Sequence, residues 1–264
     1  MDNDIDWVLS SPSLINVPNS YIPFHDLISA DQSKSVVVNR SRFIARNLGG
    51  YYENIVNHIL NNDTHIYDIK RNIGIFDNKV TLGELDFIGG SSTGDFHLEC
   101  AIKYYLRIGS GTKLEDFIGP GKRDRLDLKY ERMVEHQLKV SKTPQGILAC
   151  KSEGLSPAIF VMLVQGYLFH PFAEFGSEIE LHPTINPSHL QGWWLRLNEI
   201  NQIKGLDFYS IMQKPYWLIA DQSNLLDYEE LKVELLKADR PILVARFDKT
   251  GKEIDRGFVV PNDW

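Results

Sequence analysis

Asp86, Glu99 and Lys103 are the residues whose types and spacing point to chemistry. Over residues 80–88 an extended chain puts Glu84, Asp86 and Ile88 on one face and Leu85 and Phe87 on the other. Strands are depleted in Asp, so Asp86 calls for a reason. Residues 96–106 alternate cleanly. Phe96, Leu98, Cys100, Ile102, Tyr104 and Leu106 take one side, and His97, Glu99, Ala101, Lys103 and Tyr105 the other. Two carboxylates and an ammonium then converge on one sheet face, next to a helix that carries Glu53. That set suits metal-assisted phosphodiester cleavage. Mg²⁺ takes one or two carboxylates together with water and phosphate oxygens. The ion (Mn²⁺ serves equally) polarises the phosphate and lowers the pKa of an attacking water. Lys103 orients or deprotonates that water, or stabilises the charge that develops. Glu53 completes the ligand set or holds a water. Glu84 is the alternative to Asp86, and the competing reading of the whole group is a structural ion-pair cluster or a solvated sheet face.

These residues need elements to hold them. Ile44, Leu48, Tyr52, Ile55 and Ile59 follow a helical period from about Ser41 to the stop at Asn61, Asn62 and Asp63. Gly49 and Gly50 inside it signal a close approach, or a break with a fresh start at Tyr51. Residues 73–76 and 80–88 flank a polar turn, and residues 89–95 read as a loop before the strand 96–106. Together these make an antiparallel meander. Residues 124–140 form the clearest helix, with Leu126, Tyr130, Met133, Val134 and Leu138 as its stripe. Residues 146–150 and 158–169 read as strands. Beyond 170 come a short helix at 195–207, a strand at 216–220, a helix at 225–238, and a hairpin pairing 242–247 with 257–260.

The whole chain is 264 residues with formal net charge −7, so a partner recruited by overall positive charge is excluded. A local basic surface is not, because nucleic acid reads the local field. Residues 122–142 hold seven Lys or Arg (Lys122, Arg123, Arg125 and Arg132 among them) against four acids. Arg40, Arg42 and Arg46 form a second cluster. Either the helix is a charge-laced solvated one, or it contacts phosphates and makes binding salt-dependent. Cys100 and Cys150 form no CxxC, which argues against a cysteine zinc site and fits a reducing cytosol. No secretory signal and no membrane span is legible, so a cytoplasmic protein with no membrane partner is expected.

Several stretches together resemble a known family: residues 50–53 (GYYE), 81–87 (TLGELDF), 98–106 (LECAIKYYL) and 118–129 (IGPGKRDRLDLK), continued by 135–137 (EHQ), 165–171 (QGYLFHP), 192–194 (GWW) and 256–261 (RGFVVP). The chain is similar to the bacterial domain-of-unknown-function family 1853 (DUF1853), grouped with the PD-(D/E)XK nuclease superfamily. The resemblance implies an α/β fold with a restriction-endonuclease-like mixed central sheet flanked by helices. It further implies a Mg²⁺- or Mn²⁺-dependent endo- or exonuclease acting on nucleic acid, DNA in the first instance. Asp86, Glu99 and Glu53 would be the metal residues. Gln137 also resembles a superfamily feature, near the metal or the DNA backbone. The pattern places Lys two residues after Glu99, but that position is Ala101, and Lys103 lies about 6.6 Å of strand rise further on. Lys103 reaching back, Lys129 replacing it, and a binding module without turnover all remain open.

The expected organisation is a lead-in over 1–35, a nuclease-like core over 36–170 and a C-terminal α/β elaboration over 171–264. The lead-in has scattered anchors at Trp7, Leu14, Ile15, Phe24 and Leu27. His170, His182 and His189 match no zinc spacing. Trp193 and Trp194 read as packing anchors before a base-stacking platform. Residues 109–113 fail the P-loop pattern, and no GxSxG or HExxH occurs.

Overall fold

The computed structural model describes residues 3–29, 40–205 and 208–264. The expected boundary between residues 35 and 36 and the end of the helix expected at 195–207 lie outside the described residues. In chain order the main elements are α1 (Asp4–Ser10), β1 (Ile22–Pro23), α2 (Phe24–Leu27), α3 (Leu48–Asn62), β2 (Ile66–Asp77), β3 (Val80–Ser91), β4 (Gly94–Arg107), β5 (Phe117–Ile118) and α4 (Leu126–Glu131). A π-helical turn (Arg132–Gln137) joins α4 to α5 (Leu138–Val140), followed by α6 (Pro144–Ser152) and β6 (Ile159–Pro171). Then come β7 (Leu190–Arg196), a 3₁₀ segment (Leu197–Ile203), β8 (Phe208–Met212), α7 (Tyr228–Leu236), β9 (Ile242–Phe247) and β10 (Glu253–Val260). The fold is mixed α/β. Among the described residues it has ten strands in parallel and antiparallel pairs, and seven α-helices. None of these helices is long and apolar enough to cross a membrane.

Two compact units form. One comprises residues 1–102 and 128–165, the other 103–127 and 166–264. In the first unit β2, β3, β4 and β6 follow one another, with β1 parallel to β6. The β2–β3 hairpin turns at Asn78 and Lys79, both at positive φ (49° and 94°), as a two-residue turn matched to strand twist requires. The lead-in anchors Trp7, Leu14, Ile15, Phe24 and Leu27 are all buried. In the second unit β6, β7, β10, β9 and β8 follow one another, and β5 pairs with β4. β7 runs parallel to both β6 and β10. Trp193, Leu195, Ile200, Tyr209, Leu231 and Val244 form its core.

The apolar period predicts a helix from Ser41, but α3 begins at Leu48 because Asn47 caps it, its side chain accepting from Gly50 N–H at 2.8 Å. Ile44 is 85% exposed and belongs to no buried stripe. Gly49 and Gly50 sit in the first turn of α3. Residues 89–95 are not a loop: β3 and β4 run almost to the tip, pairing Ser91 with Gly94. Residues 146–150 are helical and not a strand. Thr143 caps α6 through Gly146 N–H, and Pro144 occupies the first turn. A side chain at position 146 would lie 2.1 Å from the Val140 carbonyl oxygen, so glycine lets α6 fold back closely on α5. The strand expected at 216–220 is replaced by β8; Trp217 and Leu218 are buried without being strand.

Candidate functional site

The carboxylate pair lies in the first unit, where β3 and β4 stop pairing. Their ladder runs from Ser91↔Gly94 to Phe87↔Leu98. At the next positions the backbone donors turn to side chains. Asp86 N–H donates to Glu99 Oε1 at 3.3 Å, and Cys100 N–H donates to Asp86 Oδ2 at 2.9 Å. Each carboxylate thus satisfies a backbone group that the opposite strand would otherwise take. This reciprocal arrangement brings Asp86 and Glu99 together.

A helical cover fixes the other side. Ile75, Leu85, Ile88, Val140, Cys150 and Leu155 make one apolar cluster between β2–β3 and α5–α6. The 124–140 region is predicted as one regular helix with Tyr130 and Val134 on its stripe. It instead contains the π-helical turn Arg132–Gln137, and its fully buried residues are Leu126, Met133 and Leu138, with Val140 at 8% exposure. One extra residue in the turn rotates the helix beyond it, a feature common at functional sites. Here it delivers Gln137 to Glu99, with Nε2 donating to Oε2 at 2.6 Å. Lys129 Nζ in turn donates to Gln137 Oε1 at 2.9 Å.

Glu99 is fully buried. Its Oε1 also faces His97 Nε2 at 2.8 Å, and His97 Nδ1 meets Ser141 Oγ at 2.9 Å. The row Ser141–His97–Glu99–Gln137–Lys129 is therefore continuous. Burial holds His97 neutral, its pKa pushed down to about 4. When Glu99 is ionised, the consistent tautomer has His97 Nε2–H donating to Glu99 and Ser141 donating to Nδ1.

Burial raises Asp86 to about 7, and the neighbouring charge of Glu99 pushes in the same direction. Burial also raises Glu99 to about 7. Glu53, half-buried on α3, is raised by burial and then by Asp86, while Arg71 opposes the rise. Among the described residues no Lys or Arg pairs directly with Asp86 or Glu99; the nearest cation along the row, Lys129, is bonded to Gln137. The donor set fits a hard divalent cation. It offers hard carboxylate oxygens that repel one another while bare, and Asp86 is only partly covered. No group of three or more His, Cys, Asp and Glu forms a ready-made cage among the described residues, so water and a ligand oxygen would complete such a shell.

Lys103, in the second unit, forms an ion pair with Asp124. Glu84 is exposed. Lys122, Arg123 and Arg132 are exposed. Arg125 makes a bidentate pair with Asp127 (2.7 and 2.6 Å), and Lys122 Nζ lies 4.8 Å from the Trp264 ring centroid. Arg40 is committed to buried Asp4. Trp193 is fully buried, its Nε1 donating to Asp255. His170 Nδ1 accepts from Arg107 Nε at 3.0 Å, and His189 Nδ1 sits 2.6 Å from the Asn186 carbonyl oxygen. Those partners fix a protonated Nε2 on His170, which is no metal ligand.

Sequence reasoning missed His97, Ser141 and Arg71. His97 shares the strand face of Glu99, and its signal was present in that alternation. Ser141 is 44 residues from its partner and carries no such signal.

A family model described as "Domain of unknown function (DUF1853)" matches residues 3–260. The chain belongs to this family. No curated protein and no solved structure matches.

Proposed function

We propose that this DUF1853 member is a Mg²⁺- or Mn²⁺-dependent nuclease whose site is built on Asp86 and Glu99, with its mixed sheet read as restriction-endonuclease-like. The observation that carries the reading is the pair itself. Two carboxylates from neighbouring strands each accept a backbone N–H of the opposite strand (Asp86 from Cys100, Glu99 from Asp86), and both are raised to about 7 with no Lys or Arg on them. A divalent cation relieves that repulsion and displaces the shared protons.

When bound, the ion would polarise a phosphate and make a water more acidic. The chain's own residues do the rest. Asp86 and Glu99 would hold the ion. Gln137 and His97 fix both oxygens of Glu99, so its orientation is set before any ligand arrives. Glu53 faces Asp86 electrostatically from α3 and would hold a water. Lys129, the alternative to Lys103 in the sequence, takes the cationic role. Its charge acts on both Asp86 and Glu99, whereas the Lys103 ammonium is engaged by Asp124. Arg132, in the same unit as the carboxylates, supplies exposed positive charge for a phosphate backbone. DNA is the substrate placed first, with RNA as the comparison.

A second reading, a nucleic-acid or protein-binding module without turnover, is favoured by one observation: Ala101 stands where the superfamily lysine belongs, and Lys103 is paired elsewhere. One assay separates them. Purified protein is incubated with single- and double-stranded DNA and RNA, with Mg²⁺, Mn²⁺ or chelator, beside Asp86→Ala, Lys129→Gln and Lys103→Gln. The nuclease reading expects metal-dependent cleavage, reduced about 10³-fold or more in Asp86→Ala and more by Lys129→Gln than by Lys103→Gln. Equal cleavage by wild type and Asp86→Ala would exclude this site. Salt-dependent binding without any cleavage would favour the second reading.

A further inference from the structure

The second unit holds a cavity of about 410 Å³, within the range of small-molecule sites, roughly 300–1,000 Å³. Met212, Ile242 and Leu243 supply apolar wall, and Trp217, Lys214 and Arg240 also line it. The Trp217 wall is rigid. The residue is only 7% exposed, its Nε1 donates to the Met212 carbonyl at 3.0 Å, and Tyr104 and Phe258 pack on its ring at 5.1 and 5.4 Å between centroids. Lys214 Nζ stands 4.5 Å from the centroid of that ring.

Lys214 and Arg240 are close enough to oppose each other: burial, then the charge of Arg240, lowers the pKa of Lys214. Among the described residues neither cation has a carboxylate within ion-pair distance. Other cations of this unit are treated differently. Arg256 is bidentate on Glu253 and also donates to two carbonyls, and Arg107 is held by Glu174, His170 and two carbonyls. Two neighbouring cations without a counter-charge, set over apolar wall, are complementary to a molecule that carries a compact anion on an apolar body.

We propose that this cavity binds a small organic anion, its carboxylate or phosphomonoester head between Lys214 and Arg240 and its apolar body against Met212, Ile242 and Leu243. This site is independent of the carboxylate pair and of the nuclease reading.

The test uses the full chain, with calorimetry and the NMR shift of the Trp217 indole N–H as readouts. The probes are indole-3-acetate for a carboxylate head, adenosine monophosphate for a phosphomonoester head, inorganic phosphate for the head alone, and indole-3-acetamide and adenosine as neutral counterparts. At least one organic anion saturates the Trp217 shift, its neutral counterpart binds about tenfold or more weaker, and Lys214→Gln and Arg240→Gln each weaken binding about tenfold. Which organic anion binds identifies the head. Phosphate alone binding as tightly as the organic anions would overturn the apolar half of the site. Equal binding by the neutral counterpart, unchanged affinity in both variants, or no shift up to about 10 mM would overturn the proposal. Both substituted side chains are exposed, and the comparison of anion with neutral probe on the wild type stands even if a variant fails to fold.

Discussion

Buried charge is handled in two ways in the two units. In the second, Arg256 is 4% exposed, and Glu253 and the carbonyls of Trp217 and Leu218 take its donors at 2.7–2.9 Å. Arg246 meets Asp255 in the same bidentate way, and Trp193 adds a third donor to that carboxylate. In the first unit Glu99 is equally buried, yet its partners are a neutral imidazole, a neutral amide and a backbone N–H. Buried charges that find their counter-charges inside the protein are explained by the fold. Buried carboxylates that meet only neutral donors and each other are not, because hydrogen bonds alone do not offset the repulsion between like charges. The first kind of site is architecture, and the second invites a ligand of opposite sign.

The comparison breaks most visibly at Arg256. Arg256→Met strands Glu253 and two buried carbonyls and should cost about 3–5 kcal/mol, read by urea denaturation, with no dependence on Mg²⁺. Asp86→Asn should act in the opposite direction. Removing one of two repelling carboxylates should stabilise the metal-free protein at pH 8 by about 2 kcal/mol and abolish any rise in melting temperature caused by Mg²⁺. A metal-free Asp86→Asn less stable than wild type at pH 8 would mean that the pair is stabilising as it stands.

The pH dependence comes from the same pair. Asp86 and Glu99 keep protons to about 7 in the folded protein, against ordinary values of 3.8 and 4.5. The folded state therefore binds more protons than the unfolded one between about pH 4 and pH 7. Stability from this pair is greatest at the acid end of that window and falls as pH rises through it. His97 works the other way. Its folded value of about 4 lies below the ordinary 6.5, so its contribution is complete above pH 6.5 and is lost as pH falls toward 4. Denaturation of wild type and Asp86→Asn across pH 4–8 separates the two: the variant should lose the Asp86 share of the decline and keep the share set by the burial of Glu99.

Gln137→Ala leaves the carboxylates in place and frees one oxygen of Glu99, so Mg²⁺ affinity by calorimetry should fall about tenfold. The smallest effect is expected at Asp127→Asn. The Arg125–Asp127 pair is partly exposed, and its loss should lower the denaturation midpoint by less than any change above.

Alternation along β4 and the Asp in β3 made Glu99 and Asp86 legible as members of one strand system, since side chains change sides at every residue; His97 shares that alternation but was missed as a site residue. The hairpin turn at Asn78 and Lys79 and the pair of β9 and β10 were legible from another signal, polar turn residues between two apolar runs. Residues 146–150 mislead as a strand because a five-residue apolar run carries no period long enough to tell helix from strand, while Thr143 and Pro144 carry the helical start. Residues 124–140 mislead as a regular helix because a π-helical turn arises from packing and not from local preference.

By itself the sequence determined which residue types were present, their strand faces, and the family pattern that joins them. Only the tertiary structure decided which of them meet. That the two strands part after Phe87 and Leu98, that Gln137 is turned onto Glu99, and that Lys103 answers to Asp124 while Lys129 reaches Gln137 all depend on residues far apart in the chain. A local pattern fixes the direction of a side chain. Its partner, and hence its charge state, is set by the packing of distant segments and the water they exclude.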